Sequence, residues 1–183
     1  MPGPGRLVLV REAASGADGE AVAALFAESL GWAADRLAEE FAVDLRPTDP
    51  AQILASLPGL RPPGGRLLLA ERDQAAVGVG AIRRIGSDVG EIKRMYVRPA
   101  GRGSGVGAAL LDALIDSAAL GVSTLRLDTC RFMHDAHSLY RSRGFVERPP
   151  YAESEIPAHL HEFWIFFERP SSQRRNPSPV TKS

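Results

Sequence analysis

The stretch RGSGVG, residues 102–107, has the residue types of an anion-binding turn. Glycines at every second position let successive backbone N–H groups point inward, because no Cβ stands in the way. Arg102 at the head of the turn adds a full positive charge on a bidentate guanidinium. A run with helical apolar periodicity follows at once, so the turn is predicted to lie at a helix N-terminus, whose partial positive charge also favours an anion.

The spacing of these glycines argues against two common nucleotide-binding motifs. Gly101, Gly103, Gly105 and Gly107 alternate with single residues, whereas the dinucleotide fingerprint needs two residues between its second and third glycines. No Lys-Ser or Lys-Thr pair follows, as a P-loop requires. A turn that merely eases tight packing is the alternative, but the added arginine at a strand-to-helix junction favours an anion site.

The elements around this turn alternate between strands and helices. A first strand is predicted near residues 6–13, followed by a helix capped by Asp18 and, after an interruption at Gly31, by a second helix that carries Phe41. A short helix is predicted over 51–57, capped by Asp49. Later strands are predicted over 66–72, 75–85, 90–97, 123–130, 145–151 and 162–169, and later helices after the glycine turn and over 132–144.

This order of elements predicts an α/β (α+β) fold. The central sheet is expected to be mixed and mostly antiparallel, with about six to seven strands, a parallel strand-helix-strand unit across residues 91–129 and helices on both faces. A single domain over 6–169 is expected to follow a flexible N-terminus, 1–5. The tail, 170–183, is predicted to be disordered because large apolar residues are nearly absent from it.

The composition excludes several classes of partner. The 22 basic and 22 acidic residues balance, so no overall field attracts nucleic acid or an anionic membrane. No stretch approaches the roughly 18 consecutive apolar residues of a membrane span. The single cysteine, Cys130, suits a reducing compartment, which makes the cytoplasm the default expectation. The pairs His134 with His137 and His159 with His161 lack a third ligand, so no metal is expected.

The stretch EIKRMYVRPAGRGSGVGAALLDALIDSA resembles the acetyl-CoA site of the GNAT superfamily of N-acetyltransferases. Arg102, Gly105 and Gly107 match its motif Arg/Gln-x-x-Gly-x-Gly/Ala. LRLDTC and SLYRSRGF, in the next strand and helix, and the order of elements agree with the family over about residues 6–168. The resemblance implies the acyl-CoA N-acyltransferase fold. It also implies an enzyme that transfers an acetyl group from acetyl-CoA to a primary amine, expected on a small molecule, by direct attack in a ternary complex.

The same resemblance implies how the co-substrate is held. The diphosphate of coenzyme A would lie on the amides of residues 102–108, and the pantetheine arm would run beside the strand MYV like an added strand. The expected cofactor-binding residues are Met95, Tyr96, Val97, Arg102, Gly103, Ser104, Gly105, Val106, Gly107 and Ala108.

Two residues are expected to move protons. Most alkylamines are protonated at neutral pH, so acyl transfer needs a base. Glu91 stands at the offset at which some family members carry a glutamate base, although pairing with Arg83, Arg84, Lys93 or Arg94 explains it equally well. Tyr140 matches the tyrosine that protonates the coenzyme A thiolate in many relatives, and a core aromatic is the alternative.

Four further positions qualify this resemblance. Many relatives carry a cofactor-contacting asparagine where this chain has Met133, whose thioether cannot replace an amide. Cys130 is expected to be a buried packing residue rather than a nucleophile, and His159 or His161 is a minor alternative base.

The acceptor is expected between the early helices, 18–58, and the late strands, 146–168. This region contains Trp32, Phe41, Glu153, Glu155 and Trp164. A protein acetyltransferase acting on an N-terminus or lysine, a non-catalytic acyl-CoA-binding module and an interaction through the basic tail stay open as alternatives. Both a monomer and a homodimer are compatible with the sequence.

Overall fold

A computed structural model describes residues 7–45, 49–118 and 121–170, so residues 1–5, which the sequence predicts to be flexible, and all but the first residue of the predicted tail lie outside it. The strands are β1 (Val8–Glu12), β2 (Gly65–Arg72), β3 (Ala75–Arg84), β4 (Val89–Val97), β5 (Thr124–Cys130), β6 (Val146–Arg148) and β7 (Trp164–Pro170). The helices are α1 (Gly19–Phe41), α2 (Pro50–Ser56), α3 (Val106–Ala118) and α4 (His134–Ser142). Short 3₁₀ turns cover Leu57–Leu60, Pro99–Gly101 and Ala158–Phe163.

The strands form one sheet of seven in the order β1-β2-β3-β4-β5-β7-β6. Within the described ranges every neighbouring pair is antiparallel except β4 and β5, which are parallel and joined through α3. This confirms the predicted fold class, including the parallel strand-helix-strand unit. Pro170, assigned from the sequence to the tail, instead pairs with Thr124 at the end of β7.

Helices cover both faces of this sheet. Leu67 and Leu69 of β2 pack in a cluster with α1, whereas Leu68 and Ala70 pack in a cluster with α3. Because side chains alternate across a strand, the two clusters lie on opposite faces. The apolar stripe of α3, which accounts for the helical periodicity predicted after the glycine turn, belongs to the second cluster and consists of Val106, Leu110, Leu111, Leu114 and Ile115.

α1 differs from the sequence prediction of two helices separated at Gly31. It is a single helix from Gly19 to Phe41. A glycine in a helix costs about 1 kcal/mol relative to alanine, and burial of Phe26 before it and Leu37 after it offsets that cost. Asp18 stands at the predicted N-cap position, but its carboxylate accepts hydrogen bonds from Arg11 and none from the helix. Asp49 does cap α2, accepting from the amide of Ala51 at 2.8 Å.

The sheet opens between β4 and β5. Their pairing runs from Val89 opposite Thr124 to Ile92 opposite Leu127 and stops there. On its other side β4 bulges, since the register against β3 shifts beside Gly80 and Arg94 takes a φ of 53°. We call this opening beyond Ile92 and Leu127 the fork.

Candidate active site

Two cavities meet at the fork. The first, of about 450 Å³, runs from the glycine turn to the start of α4 and is called the glycine-loop cleft. The second, of about 290 Å³, lies between α1, the fork and the start of β7 and is called the fork cavity. Met95, Met133 and Tyr140 line both, so a ligand in one cavity can touch a ligand in the other at this junction.

Most of the residues expected to bind the cofactor line the glycine-loop cleft. They are Met95, Tyr96, Val97, Arg102, Gly103, Gly105, Gly107 and Ala108. Ser104 and Val106 do not. The Ser104 hydroxyl donates to the carbonyl of Gly101 at 2.7 Å. The Val106 side chain is buried in the hydrophobic cluster that contains Leu68 and Ala70. The side chains of these two residues therefore lie outside the lining of the cleft.

The glycine turn has the backbone of an anion cradle. Gly103 and Gly105 have φ values of 70° and 83°, which residues with a Cβ rarely adopt. Within the described ranges their amides donate no hydrogen bond, and the first amides of α3 have no partner inside the helix. The predicted arrangement of free N–H groups at a helix N-terminus is present at one end of the cleft.

Arg102, at the head of the turn, lies against Trp32, which also lines this cleft. Its Nε donates to the carbonyl of Val97 at 3.0 Å, and its guanidinium carbon stands 4.8 Å from the ring centre of Trp32. A cation over a tryptophan face is held by the ring quadrupole, so the charge stays in the cleft.

Arg72, at the end of β2, supports the glycine turn and was not found from the sequence. Its Nη1 donates to the Ser104 hydroxyl at 3.0 Å and its Nη2 to the carbonyl of Ala100 at 2.6 Å. No local pattern marks such a residue, because the contact joins positions about thirty residues apart in the chain.

Glu91 is fully buried and lines neither cavity. Its carboxylate accepts from Arg83 Nε at 3.0 Å and from the Tyr151 hydroxyl at 2.7 Å, and Lys93 Nζ stands 3.6 Å away. Glu91 therefore forms the ion pairs that were the alternative to its role as a base, with Arg83 and Lys93 as partners. Arg84 and Arg94, the other partners considered, bond elsewhere.

Asp128 is a second carboxylate at the fork, and the sequence motif did not single it out. It follows Leu127, the last residue of β5 that pairs with β4, and it lines the fork cavity. Its Oδ2 accepts from Ser154 at 3.1 Å and stands 3.4 Å from the Tyr151 hydroxyl. Burial, and then the charge of Glu91, raises the pKa of Asp128.

Tyr140 lies at the junction of the two cavities. Its ring packs against Phe145 and Phe167 at centroid distances of 6.0 and 5.9 Å. Among the described residues, the Tyr140 hydroxyl has no hydrogen-bond partner, whereas every buried side-chain oxygen has one. The hydroxyl is therefore not buried, and since Tyr140 lines the cavities, the hydroxyl reaches them. Burial and the charge of Asp128 raise the pKa of Tyr140, which keeps the phenol protonated at neutral pH.

The structure also shows the surroundings of the positions that qualify the resemblance. Met133 takes a contact from the Thr129 hydroxyl at 3.3 Å and lines both cavities as an apolar wall. Cys130 is buried, and burial raises the pKa of its thiol to about 12, which disfavours a thiolate. His159 is exposed, His161 bonds at 2.9 Å to the carbonyl of Ile156, and neither lines a cavity.

The region expected for the acceptor is divided between the cavities. Glu155 and Trp164 line the fork cavity, Trp32 lines the glycine-loop cleft, and Phe41 and Glu153 line neither. Among residues 7–45, 49–118 and 121–170, no group of side chains could hold a metal ion. No helix in these ranges is long and apolar enough to cross a membrane.

A mixed sheet that forks beside a glycine turn defines the class of the acyl-CoA N-acyltransferase fold, and solved structures agree. An acetyltransferase of the GNAT family from Staphylococcus aureus has a TM-score of 0.68 and 20% identity, covering 90% of this chain and 99% of that one. The protein yncA of Salmonella typhimurium, solved with its cofactor acetyl-CoA, has a TM-score of 0.68 and 20% identity, covering 94% and 98%. At these identities the likeness shows the fold.

Sequence relatives identify the family. Residues 63–147 match the family model of the acetyltransferase (GNAT) domain. The chain is 36% identical over 129 residues to the IAA acetyltransferase of Azospirillum brasilense, covering 69% of this chain and 81% of that protein. It is 38% identical over 99 residues to an uncharacterized N-acetyltransferase of Schizosaccharomyces pombe, covering 52% and 61%. The chain belongs to the GNAT family of acetyltransferases, as its glycine motif predicted.

Proposed function

We propose that this GNAT acetyltransferase moves an acetyl group from acetyl-CoA to a primary amine of a small molecule by direct attack in a ternary complex. The observation that carries the proposal is the junction at Met95, Met133 and Tyr140, where the glycine-loop cleft opens into the fork cavity. One cavity has the features of a site for an elongated phosphate-bearing molecule. The other is a small, mainly apolar space with a few charged groups, as acceptor sites often are.

The glycine-loop cleft fits coenzyme A. Free amides of residues 103–105 and the N-terminus of α3 would hold the diphosphate, with Arg102 supplying a full charge. The edge of β4 from Met95 to Val97 lies beyond its pairing with β5, so it is available to the pantetheine amides in the manner of an added strand. Ser104 and Val106 would contribute through their backbone, and Ala108 through the first helical turn.

The proposed reaction balances with one base and one acid. The ammonium of the acceptor first loses a proton to a base, which passes it to solvent. The nitrogen lone pair then forms a bond to the acetyl carbon while the carbon-sulfur bond breaks. Tyr140 protonates the departing sulfur, and the second proton lost by the nitrogen restores the phenol. From the sequence Glu91 is the proposed base, and its enclosure requires the proton to reach it through a neighbour.

A thiol-release assay with acetyl-CoA and a broad panel of small primary amines tests the function. Turnover of at least one small amine, with release of free coenzyme A and formation of the N-acetyl product by mass spectrometry, is the expected result. Binding of coenzyme A without turnover of any acceptor would contradict catalysis and indicate a regulatory module. Turnover of peptides alone, carrying a free N-terminus or a lysine, would replace the small-molecule acceptor by a protein.

A further inference from the structure

The carboxylates of Asp128 and Glu91 differ in their access to the fork cavity. Asp128 lines the fork cavity beside Tyr140, whereas Glu91 lies behind the cavity wall. We propose that Asp128 takes the proton from the incoming ammonium and that Glu91 is a positioning residue that acts on Asp128 through Tyr151. The inference rests on the proposed acetyl transfer and assigns its base.

The free oxygen of Asp128 is open to the cavity. Both of its polar side-chain contacts involve Oδ2: the Ser154 hydroxyl donates to it at 3.1 Å, and the Tyr151 oxygen stands 3.4 Å away. Every buried side-chain oxygen of the described residues has a partner, and Oδ1 has none among them. Oδ1 is therefore not buried, and since Asp128 lines the fork cavity, this oxygen can accept a proton from a ligand there.

Glu91 lacks such an opening. Its Oε1 accepts from the Tyr151 hydroxyl at 2.7 Å, and its Oε2 is paired with Arg83 and Lys93. The single proton of the Tyr151 hydroxyl goes to Glu91, because the distance to Asp128 is longer at 3.4 Å. Glu91 thus orients Tyr151, and in the described ranges the Ser154 hydroxyl is the donor that remains to Asp128.

The charges around Asp128 favour a carboxylate that readily takes a proton. Burial and the nearby Glu91 raise its pKa, while Lys93 and the hydroxyls of Ser154 and Tyr151 lower it. The other ionisable groups that line the cavity with it are Arg94, Glu155, Tyr140 and Cys130, with Arg126 on the same strand. The wall from α1 is uncharged and consists of Ser29, Leu30, Ala33, Ala34 and Leu37. No cation in the described ranges forms an ion pair with Asp128, so its charge is not already neutralised.

The position also fits the direction of transfer. Asp128 and Tyr140 both line the fork cavity, and the negative charge of Asp128 acts on the Tyr140 phenol. An ammonium between them would give one proton to Asp128 and thereby expose its lone pair near the junction with the glycine-loop cleft. Asp128 returns that proton to solvent through the fork cavity. As in the proposed reaction, Tyr140 protonates the departing sulfur and regains a proton from the nitrogen.

The test compares Asp128→Asn and Glu91→Gln with wild type across a pH series. The assay uses full-length protein, acetyl-CoA and the amine with the highest turnover in the panel. Asp112→Asn is the matched control, because Asp112 of α3 pairs with Arg143, which follows α4, and lines neither cavity. Binding of acetyl-CoA to each variant reports whether its fold is intact.

We expect Asp128→Asn to lower kcat/KM about 100-fold at neutral pH, the lower end of what a general base contributes. Activity should recover in part at alkaline pH, where the amine is itself deprotonated, while affinity for acetyl-CoA is unchanged. Glu91→Gln should lose less activity and shift the acidic limb of the pH profile to lower pH, because the charge that raises the Asp128 pKa is gone. Asp112→Asn should match wild type.

Wild-type activity and an unchanged pH profile in Asp128→Asn would overturn the assignment. So would a loss of about 100-fold in Glu91→Gln with Asp128→Asn unaffected, which would make Glu91 the base. If Asp128→Asn does not bind acetyl-CoA, Asp128→Glu is measured instead: a displaced acidic limb supports the base and an unmoved one refutes it. A wild-type enzyme that acetylates no amine would instead refute the proposed function.

Discussion

Tyr140 shows how a single residue can serve both cavities. Its ring is fixed by Phe145 and Phe167, and its hydroxyl opens onto the junction. Burial and the charge of Asp128 raise its pKa, so the phenol holds its proton at neutral pH until a thiolate departs beside it. We expect Tyr140→Phe to lower kcat about 100-fold, the lower end of the effect of a general acid.

The same substitution should leave acetyl-CoA binding nearly intact. Phenylalanine keeps the ring contacts and removes only an oxygen that has no partner among the described residues. Steady-state kinetics combined with calorimetric titration of acetyl-CoA separates the two effects. Equal turnover of variant and wild type would show that Tyr140 is a packing aromatic, the alternative considered from the sequence.

The sequence could reveal Tyr140 but not its neighbours. Tyr140 lies in a contiguous motif, whereas Asp128 becomes informative only when Tyr151 joins it to Glu91, and Tyr151 is 60 residues from Glu91 and 23 from Asp128. Likewise, a strand-end arginine such as Arg72 looks like any solvated charge until the fold brings Ser104 to it. Residue types and spacing identify local chemistry, but burial and pairing decide which of two carboxylates faces the ligand.

At the scale of elements, the glycine turn depends on its backbone conformation. Gly105 has a φ of 83° and nothing within 4 Å of the position of a Cβ, so a substitution meets backbone strain rather than a clash. The left-handed conformation costs a residue with a Cβ roughly 1–2 kcal/mol, which the turn can avoid by changing shape. We expect Gly105→Ala to weaken coenzyme A binding about tenfold, as measured by calorimetric titration.

Gly31→Ala is the matched control for that variant. Gly31 lies inside α1, also has nothing within 4 Å of a Cβ position, and has no positive φ. Alanine there should raise the free energy of unfolding by about 1 kcal/mol in urea denaturation and leave coenzyme A affinity unchanged. Wild-type affinity in Gly105→Ala would indicate that the turn does not need its left-handed backbone to bind the ligand.

The sequence predicts helices that have a clear apolar periodicity, but it does not predict correctly where a helix is interrupted. The stripe from Val106 to Ile115 predicted α3, and Asp49 with Pro50 predicted the start of α2. The sequence predicts a break at Gly31 because helix propensity disfavours glycine, but the packing of α1 on both sides of it overrides that preference. The fork arises from strand register and the bulge at Arg94, which no local pattern encodes.

At the scale of the whole molecule, the ligand and the fold are linked. The glycine-loop cleft is built from β4, the glycine turn, α3 and α4, and it also takes Trp32 from α1. A ligand bound there contacts elements from both faces of the sheet, so it must favour the folded chain over the unfolded one. The order of elements was sufficient to predict this architecture, because connection rules leave few sheets that contain one parallel crossover.

This linkage gives a test that needs no acceptor. Coenzyme A at about one hundred times its dissociation constant should stabilise the protein by roughly 2.7 kcal/mol, which a thermal unfolding scan detects as a rise in Tm of about 5 to 10 °C. NAD and ATP should have much smaller effects, because the glycine spacing matches neither of their common motifs. Deletion of residues 171–183, which lie outside the described ranges, should leave the shift unchanged. Stabilisation by NAD or ATP without stabilisation by coenzyme A would contradict the proposed co-substrate, whereas loss of the shift on deletion would make the tail part of its site.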